Sequence, residues 1–415
     1  MLKIFKSYLK VFTESEYVLY LNIADRLFFF LIFVLIAREY PIELYGKLIT
    51  LFAISNVLIT FFDLGLPIYL QREISVSKTK SSQLFSQIFV INLYVFIAYF
   101  ASAFIFYELL YADINLGLFL TTMVFAYLIS LININQKVFS ALKKFKEQFQ
   151  INLKSRIFII IFYIPAIMFL NIGIPCLLCL VIIGFIYNIF LLIRTLELYH
   201  VFFSFKFFNY DEIKSILKVS FPLGLAVIFN FLYDKVDVLL ISKLADFTQV
   251  AFYNVGYGLY KTSTLSFSFL LIAGLTKVSY LSRNKKGVKL FLKKYFKILS
   301  FICLLIFLVL FLGAEFIIKL VYTNKFDDSI LIVKILSFAI LGLAFNNLTG
   351  VVLTGIGLFK ENMIVTTIGL LLNVTLNIIF IPLYGIIACA IITIITEYFI
   401  FTGDIFYITR FLKKQ

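Results

Sequence analysis

Residues 219–242 read VSFPLGLAVIFNFLYDKVDVLLIS and are flanked by a lysine on each side. Because an α-helix rises about 1.5 Å per residue, these 24 residues would form a helix roughly 36 Å long, enough to cross a bilayer core of about 30 Å. Asp234, Lys235 and Asp237 interrupt the apolar run. A charge at membrane depth costs at least about 2.5 kcal/mol on insertion scales, so we expect these side chains to face a protein partner or a wet cavity.

The charged residues of this stretch have two interpretations. Asp234 and Asp237 share a helix face, whereas Lys235 is turned by about 100° from Asp234. They form either an internal ion pair that locks helix packing or part of a polar passage through which a substrate crosses. The composition and charge pattern of the rest of the chain favour the passage.

The composition is that of a membrane protein. Of 415 residues, 62% are hydrophobic and 14% are charged, and the mean hydropathy is +1.04. Apolar runs of about 20 residues recur along nearly the whole chain, which indicates a polytopic α-helical membrane protein and excludes a soluble one. A net charge of +15 would suggest a nucleic-acid partner in a soluble protein. Here the basic residues flank apolar runs and set orientation, so no nucleic-acid partner is expected.

Motifs for metals and nucleotides are weak or absent in the sequence. Cys176 and Cys179 form a CxxC pair, but the chain has a single histidine and no second pair, so no metal site and no cofactor are expected. The Walker A pattern for phosphate binding is absent, which argues against direct coupling to ATP. No small-residue cleavage pattern follows the first apolar run, so no cleavable signal peptide is expected.

The apolar runs predict an all-α membrane protein with about twelve transmembrane helices. Charged clusters, prolines and glycines mark where the runs end. The predicted spans are 15–37, 44–66, 84–107, 115–136, 156–171, 174–195, 217–241, 248–273, 294–314, 329–354, 361–381 and 384–408.

The distribution of lysine and arginine predicts the orientation of these spans. With a cytoplasmic N-terminus, 28 of the 37 Lys and Arg residues fall in cytoplasmic segments and six in the opposite loops. The remaining three, Arg26, Lys235 and Lys261, lie at membrane depth. Because cytoplasmic loops are enriched in Lys and Arg, both termini are predicted to be cytoplasmic.

A topology reporter tests this orientation. A reporter enzyme that is active only outside the cytoplasm is expected to be silent when fused after Lys285 and active when fused after Asp113. Immunoblots of the two fusions should show equal abundance. The reverse pattern of activity would contradict both the orientation and the polar passage.

The chain divides into two halves of six spans. The polar connection near mid-chain predicts an N-lobe at 1–195, a cytoplasmic linker at 196–216 and a C-lobe at 217–415. Short similarities between the halves suggest parallel repeats, as in some transporters, with chance as the alternative. The matched elements are Asp25-Arg26 with Asp234-Lys235, and LYGKL at 44–48 with FYNVGYGL at 252–259.

Seven ionisable residues are predicted at membrane depth. The three cations, Arg26, Lys235 and Lys261, suit an anionic substrate that carries phosphate, because charge-assisted contacts to phosphate are strong. Pairing with neighbouring carboxylates is the alternative for Arg26 and Lys235. The acids are candidates for loading a proton or a sodium ion from a gradient. They are Asp25, Asp234, Asp237 and Glu397.

Residues 61–75 read FFDLGLPIYLQREIS. Asp63, Gly65 and Arg72 are interpreted as a motif at a cytoplasmic gate, and simple helix termination is the alternative. The F-x-D-x-G-L and R-E-I-S elements here, L-Y-G at 44–46 and D-V-L-L-I at 237–241 resemble those of the Wzx-type O-antigen flippases. That family is part of the polysaccharide-transporter branch of the MATE-like multidrug/oligosaccharidyl-lipid/polysaccharide superfamily.

The resemblance implies two six-helix lobes that form a V-shaped cavity. It also implies that undecaprenyl-diphosphate-linked oligosaccharide, an O-antigen repeat unit, crosses from the cytoplasmic to the periplasmic leaflet of the bacterial cell inner membrane. The expected partners are this lipid-linked oligosaccharide, H+ or Na+, the bilayer and polysaccharide polymerase machinery. We therefore predict a multi-pass transporter that is coupled to an ion gradient by alternating access, and not an enzyme.

Two other functions compete with this prediction. An O-antigen polymerase, or another polytopic enzyme of polysaccharide assembly, needs catalytic groups on a large outer loop, and the predicted outer loops are short. A multidrug/cation antiporter of the same fold needs an anionic cavity for cationic drugs. The predicted cavity cations argue against it.

Overall fold

The chain is almost entirely helical. The computed structural model describes residues 2–170, 172–207, 210–282 and 284–413, and within these ranges it has fourteen α-helices and no β-strand. Helices suit the apolar runs, because a segment in hydrocarbon must satisfy every backbone N–H and C=O internally. The helices are α1 Leu2–Glu39, α2 Ile42–Asp63, α3 Leu66–Val76, α4 Ser81–Leu110, α5 Leu116–Ala141, α6 Phe145–Phe169, α7 Ile174–Leu198, α8 Tyr210–Leu244, α9 Phe247–Thr262, α10 Leu265–Leu281, α11 Lys285–Tyr322, α12 Asp328–Ser337, α13 Ala339–Gly355 and α14 Phe359–Lys413.

Most of these helices are long enough to cross a membrane. Eight of the described helices are sufficiently long and apolar, and two bent helix pairs raise the number to as many as ten. Helix α14 has 55 residues, about 80 Å of helix, and Gly385 divides it with non-helical backbone angles (φ 60°, ψ −145°). It is therefore long enough for the two predicted spans 361–381 and 384–408. The all-α membrane fold is confirmed, and the number of twelve spans and the orientation stay predictions.

The chain forms two compact units. Unit 1 comprises Met1–Glu39 and Leu51–Leu232, and unit 2 comprises Tyr40–Thr50 and Tyr233–Gln415. Helices α2 and α8 each contribute residues to both units. The predicted lobe boundaries at residues 195 and 217 stay a prediction.

Unit 1 is built around helices α5, α6 and α7. Helices α5 and α6 both pack on α7, and α1 packs on α6. Phenylalanine rings fill the core: the centroid of Phe125 lies 4.8 Å from that of Phe52 and 5.0 Å from that of Phe185. Aromatic pairs at these distances stabilise a core beyond the area that they bury. The Phe185 ring also packs against the guanidinium of the buried Arg156, whose central carbon lies 4.8 Å from the ring centroid.

Unit 2 is built around α14. Helix α13 packs along α14, α9 packs on α12 and α14, and α10 packs on α13. Large tyrosines on α9 are fully enclosed, with Tyr253 at 0% and Tyr260 at 1% exposure. A buried tyrosine hydroxyl needs a hydrogen-bond partner, so these residues require polar neighbours inside the unit.

Candidate functional site

Asp234 lies at the centre of a cationic cluster in unit 2. Its carboxylate is 2.8 Å from the Nζ of Lys261 and 3.1 Å from the Nζ of Lys235. The hydroxyl of Tyr257 donates a further bond of 3.0 Å to it. The three charged side chains are between 28% and 32% exposed. Two ammonium groups face this one carboxylate, so the immediate surroundings of Asp234 are locally cationic and partly open to a further anion.

Glu397 is buried among neutral donors on α8, α9 and α13. Its exposed fraction is 1%. Its Oε1 accepts hydrogen bonds from the hydroxyls of Tyr233 (3.3 Å) and Tyr260 (3.2 Å), and its Oε2 accepts one from Asn346 Nδ2 (2.8 Å). No lysine or arginine of the described part of the chain is within ion-pair distance of this carboxyl group.

Asp237 is a second buried acid with neutral partners. It accepts hydrogen bonds from the Tyr253 hydroxyl (2.7 Å), from Asn377 Nδ2 (3.0 Å) and from Thr393 Oγ1 (3.3 Å). Asn377 also donates to Asn373 Oδ1 at 3.0 Å, and its own Oδ1 is buried without a hydrogen-bond partner. Carboxylate, amide and hydroxyl oxygens in one enclosed cluster suit a proton or a small hard cation. Across the described residues, no group of three or more His, Cys, Asp or Glu residues has the geometry of a metal site.

Three tyrosines on one face of α9 connect these acids. Tyr253, Tyr257 and Tyr260 follow the i, i+4, i+7 spacing of a helix face, and each donates to a different acid of the three described above. The sequence indicated this stretch as part of a weak repeat between the halves, but it did not predict the contacts of these tyrosines with the acids. The helical spacing of the tyrosines, together with acids predicted at membrane depth in other spans, is the sequence signal that could have predicted these hydrogen bonds.

The three acids differ in what holds them. Asp234 is paired with two lysines, so it gains little from binding a further cation. If Asp234 lost its charge, both lysines would lose their ion-pair partner. Asp237 and Glu397 have only hydroxyl and amide donors, so either acid can take up a proton or a cation without breaking an ion pair. Unit 2 therefore has a cationic group around Asp234 and, separately, two acids, Asp237 and Glu397, that can exchange a cation.

Unit 1 contains a different ion pair from the one that the sequence suggested. Asp25 pairs with Arg156 of α6, whose Nε lies 3.0 Å from the Asp25 carboxylate. The guanidinium is also packed against aromatic rings, 4.6 Å from the Phe28 centroid and 4.8 Å from the Phe185 centroid. The Arg156 side chain is only 6% exposed, and its Nη1 has no hydrogen-bond partner. In the sequence, Arg156 follows Lys154 at the start of the predicted span 156–171, a position typical of the basic residues that flank a span on the cytoplasmic side.

Arg26 is exposed, unlike Arg156. Among the side chains that the structure describes, none forms an ion pair with Arg26. The predicted cations are therefore divided between the units: Arg26 belongs to unit 1, and Lys235 and Lys261 belong to unit 2. Their role in substrate binding stays a prediction.

The predicted gate motif forms a tight turn between α2 and α3. Helix α2 ends at Asp63, and Leu64 (φ 51°) and Gly65 (φ 73°) both have left-handed backbone angles. A Cβ on Gly65 would lie 2.5 Å from the backbone nitrogen of Gly224, so this turn packs directly on the backbone of α8. Arg72 is exposed, with its Nε 3.7 Å from a carboxylate oxygen of Glu73. The geometry accounts for glycine at position 65, and the role of the motif as a gate stays a prediction.

The sequence matches two family models. Residues 14–285 match the family described as "Polysaccharide biosynthesis protein", and residues 222–379 match the MatE family. Among curated proteins, the uncharacterized membrane protein MJ1375 of Methanocaldococcus jannaschii is 28% identical over 211 residues, 50% of this chain and 48% of that protein. A second membrane protein of that organism, MJ1068, is 30% identical over 99 residues, 24% of this chain and 20% of that protein. The chain thus matches about half of the first relative and a fifth of the second.

Solved structures share the fold over nearly the whole chain. An inward-facing multidrug resistance MATE family transporter of the MOP superfamily superposes with a TM-score of 0.80 and 14% identity, covering 94% of this chain and 96% of that one. The lipid II flippase MurJ, in an inward closed conformation, superposes with a TM-score of 0.73 and 21% identity, covering 94% of this chain and 87% of that one. At these identities the likeness establishes the MATE-like fold.

Proposed function

Because the chain belongs to the polysaccharide biosynthesis protein family, we propose that it is a flippase for a polyprenyl-diphosphate-linked oligosaccharide. It is a multi-pass membrane protein with the MATE-like fold. The proposed cargo is an oligosaccharide unit on undecaprenyl diphosphate, such as an O-antigen repeat unit. It would move from the cytoplasmic to the periplasmic leaflet of a bacterial inner membrane. Polymerase machinery as a partner stays a prediction.

The observation that carries this proposal is the pair of lysines on one carboxylate. Lys235 and Lys261 both contact Asp234, and all three side chains are partly exposed. A partly exposed cation in a membrane span needs water or an anionic ligand, because hydrocarbon does not solvate it. A diphosphate carries more negative charge than the carboxylate and offers more acceptor oxygens, so it can compete with Asp234 for both lysines.

The shared fold is compatible with more than one cargo. One protein with this fold is named a lipid II flippase, and others are named multidrug transporters. The positive cluster favours an anionic lipid-linked cargo over a cationic drug. At Asp234, a cationic drug would meet a carboxylate that is already paired with two ammonium groups.

We also propose that the chain couples cargo movement to a proton or sodium gradient. Asp237 and Glu397 are the best candidates, because their partners are neutral and they are almost completely buried. Asp25 and Asp234, the other predicted acids, are held in ion pairs with Arg156 and with the two lysines. Those two acids are better suited to positioning cations than to exchanging one.

Replacement of the predicted substrate-binding cations tests the proposed cargo. Lys261→Ala is expected to slow the flipping of a fluorescent polyprenyl-diphosphate oligosaccharide in proteoliposomes by about tenfold, equivalent to about 1.4 kcal/mol. Arg26→Ala is expected to slow it as well, and Arg26→Lys to restore part of the rate, since it keeps the charge but loses the planar fork. Lys319→Ala is the control, since it removes a lysine from an exposed ion pair with Glu315 and should leave flipping unchanged.

The same assay distinguishes the alternatives. If Arg26→Ala and Lys261→Ala both flip the cargo at the parent rate, the diphosphate contact lies elsewhere. If the parent protein exports a cationic dye and does not move the lipid-linked oligosaccharide, the multidrug antiporter is the better function.

A further inference from the structure

A basic cleft of about 380 Å³ opens at one end of unit 1. Its walls come from three places: the connection between α3 and α4, the turn between α5 and α6, and the residues that follow α7. The polar and charged residues that line it include Lys78, Thr79, Ser82, Lys144, Tyr199 and His200. Two lysines from different connections therefore converge on one cavity that the proposed transport function does not use.

One of the two lysines is fixed in position by its neighbours. The Nζ of Lys144 lies 4.3 Å from the ring centroid of Tyr199 and 3.9 Å from the Glu147 carboxylate. The Tyr199 hydroxyl donates a 2.8 Å hydrogen bond to the same carboxylate, which holds the aromatic wall in place. Glu147 offsets only part of the positive charge, because a second lysine lines the cleft.

The other lysine is available to a ligand. Within the described part of the chain, the Nζ of Lys78 and the imidazole of His200 have no hydrogen-bond or ion-pair partner. Ser81 and Ser82, the first residues of α4, also line the cleft, and this helix begins without a side-chain cap. The positive end of the α4 dipole therefore adds to the charge of the two lysines.

The depth of the cleft indicates what kind of anion it meets. Four candidate membrane spans begin or end at its walls, namely Lys78–Leu110, Leu116–Ala141, Phe145–Phe169 and Ile174–Leu198. A cavity where spans end lies at the level of lipid headgroups. Basic pockets between membrane helices bind phosphorylated headgroups of anionic lipids. The charge count also predicts that this end is cytoplasmic, the side on which anionic lipid attracts basic segments.

We propose that this cleft binds the phosphate of an anionic phospholipid headgroup. The phosphate contacts Lys78 and Lys144, and the hydroxyls of Thr79 and Tyr199 border it. Phosphate in solution has the same chemistry, so the experiment must separate the two sources.

A bound headgroup would touch a segment that is fastened to α4. Ser82 Oγ donates to the carbonyl of His200 (2.9 Å) and accepts from the backbone N–H of Phe202 (3.2 Å). One turn further along α4, Ser86 Oγ accepts from the backbone N–H of Ser204 (3.0 Å). The chain after α7 thus follows the α4 surface from the edge of the cleft, so a ligand there should stabilise unit 1 as a whole.

The test compares lipids and matched lysine pairs on the full-length protein in neutral detergent. Phosphatidylglycerol is expected to raise the unfolding temperature of the parent, while phosphatidylcholine at the same mole fraction is not. Lys78→Gln with Lys144→Gln should raise the phosphatidylglycerol concentration needed for half of the shift by about tenfold. The control pair is Lys80→Gln with Lys146→Gln, which removes two nearby exposed lysines that do not line the cleft.

Each outcome decides the proposal. The site is supported if phosphatidylglycerol stabilises the control variant as it does the parent, and stabilises the variant without Lys78 and Lys144 only at higher concentration. If both double variants lose the response to phosphatidylglycerol equally, the effect is one of general surface charge and the proposal is wrong. The proposal is also wrong if the parent protein does not respond to phosphatidylglycerol. If glycerol phosphate or inorganic phosphate displaces the lipid at equal concentration, the lipid assignment is wrong. Should the double variant fail to fold, Lys78→Gln alone gives the same comparison, because Lys78 is exposed and without a partner in the described structure.

Discussion

Gly46→Ala is expected to prevent stable folding of the protein. A Cβ on Gly46 would overlap the carbonyl oxygen of Phe247 and lie 2.6 Å from its carbonyl carbon. The obstacle is backbone at the start of α9, which cannot rotate away as a side chain does. Overpacking of this kind costs about 3 kcal/mol or more, enough to remove most of the stability of a marginal protein. The measurement is thermal unfolding in detergent, together with the amount of protein in the membrane fraction.

The neighbours of Gly46 make this contact hard to relax. Tyr45 is 1% exposed, with its ring centroid 6.0 Å from that of Phe326 and its hydroxyl 3.3 Å from Asn254 Nδ2. Thr50 donates a 3.0 Å hydrogen bond to the Gly46 carbonyl. The Thr50 bond lies within α2, but moving α2 away from α9 would break the hydrogen bond between Tyr45 and Asn254.

A second glycine provides the control for this substitution. A Cβ on Gly258, in α9, meets no atom within 4 Å. Because alanine favours a helix over glycine by about 1 kcal/mol, Gly258→Ala should unfold at the parent temperature or slightly above it. If Gly46→Ala also unfolds at the parent temperature, α2 and α9 do not approach as closely as the structure has them.

Gly46 also shows what a sequence pattern can and cannot reveal. The L-Y-G element supported the family resemblance without a physical reason for its glycine. The reason is a close contact with Phe247, about 200 residues further along the chain. A local sequence motif cannot reveal a contact with a residue so far away in the chain. By contrast, the membrane class and the helical fold follow from apolar runs and flanking charge, which are local properties.

For the candidate site too, the sequence identified charged residues but few of their contacts. Asp234, Lys235 and Lys261 were identified from their cost at membrane depth, and the structure places all three in contact. Arg156 was missed, because its position beside Lys154 is typical of a loop and its partner Asp25 lies 131 residues away. The ion pair of Asp234 with Lys235 was one of the two interpretations drawn from the sequence, whereas the tyrosine and asparagine partners of Asp237 and Glu397 were not predicted. Whether an acid faces a lysine or a tyrosine depends on helix packing, which one sequence does not determine.

Asp237→Asn and Glu397→Gln are each expected to abolish the stimulation of flipping by an imposed ion gradient, while cargo binding persists. Each substitution keeps the side-chain volume and a hydrogen-bonding group but removes the group that takes up a cation. The direct hydrogen-bond partners of both acids are neutral, so the uptake of a proton or sodium ion breaks no ion pair. The measurement is the flipping rate in proteoliposomes with and without a pH gradient, and separately with and without a sodium gradient.

Asp234→Asn is the matched control, since it removes a carboxylate from the same cluster. Its partners are lysines, so the variant should disturb cargo contacts and slow flipping while the ratio of rates with and without the gradient stays at the parent value. If the gradient no longer stimulates flipping in Asp234→Asn but still does so in Asp237→Asn and Glu397→Gln, then Asp234 couples the ion and the other two acids do not. If all three variants respond to the gradient as the parent does, the next acid to replace is Asp404. It is fully buried, accepts one hydrogen bond from Thr349 at 2.8 Å, and has a second carboxylate oxygen without a hydrogen-bond partner in the described structure.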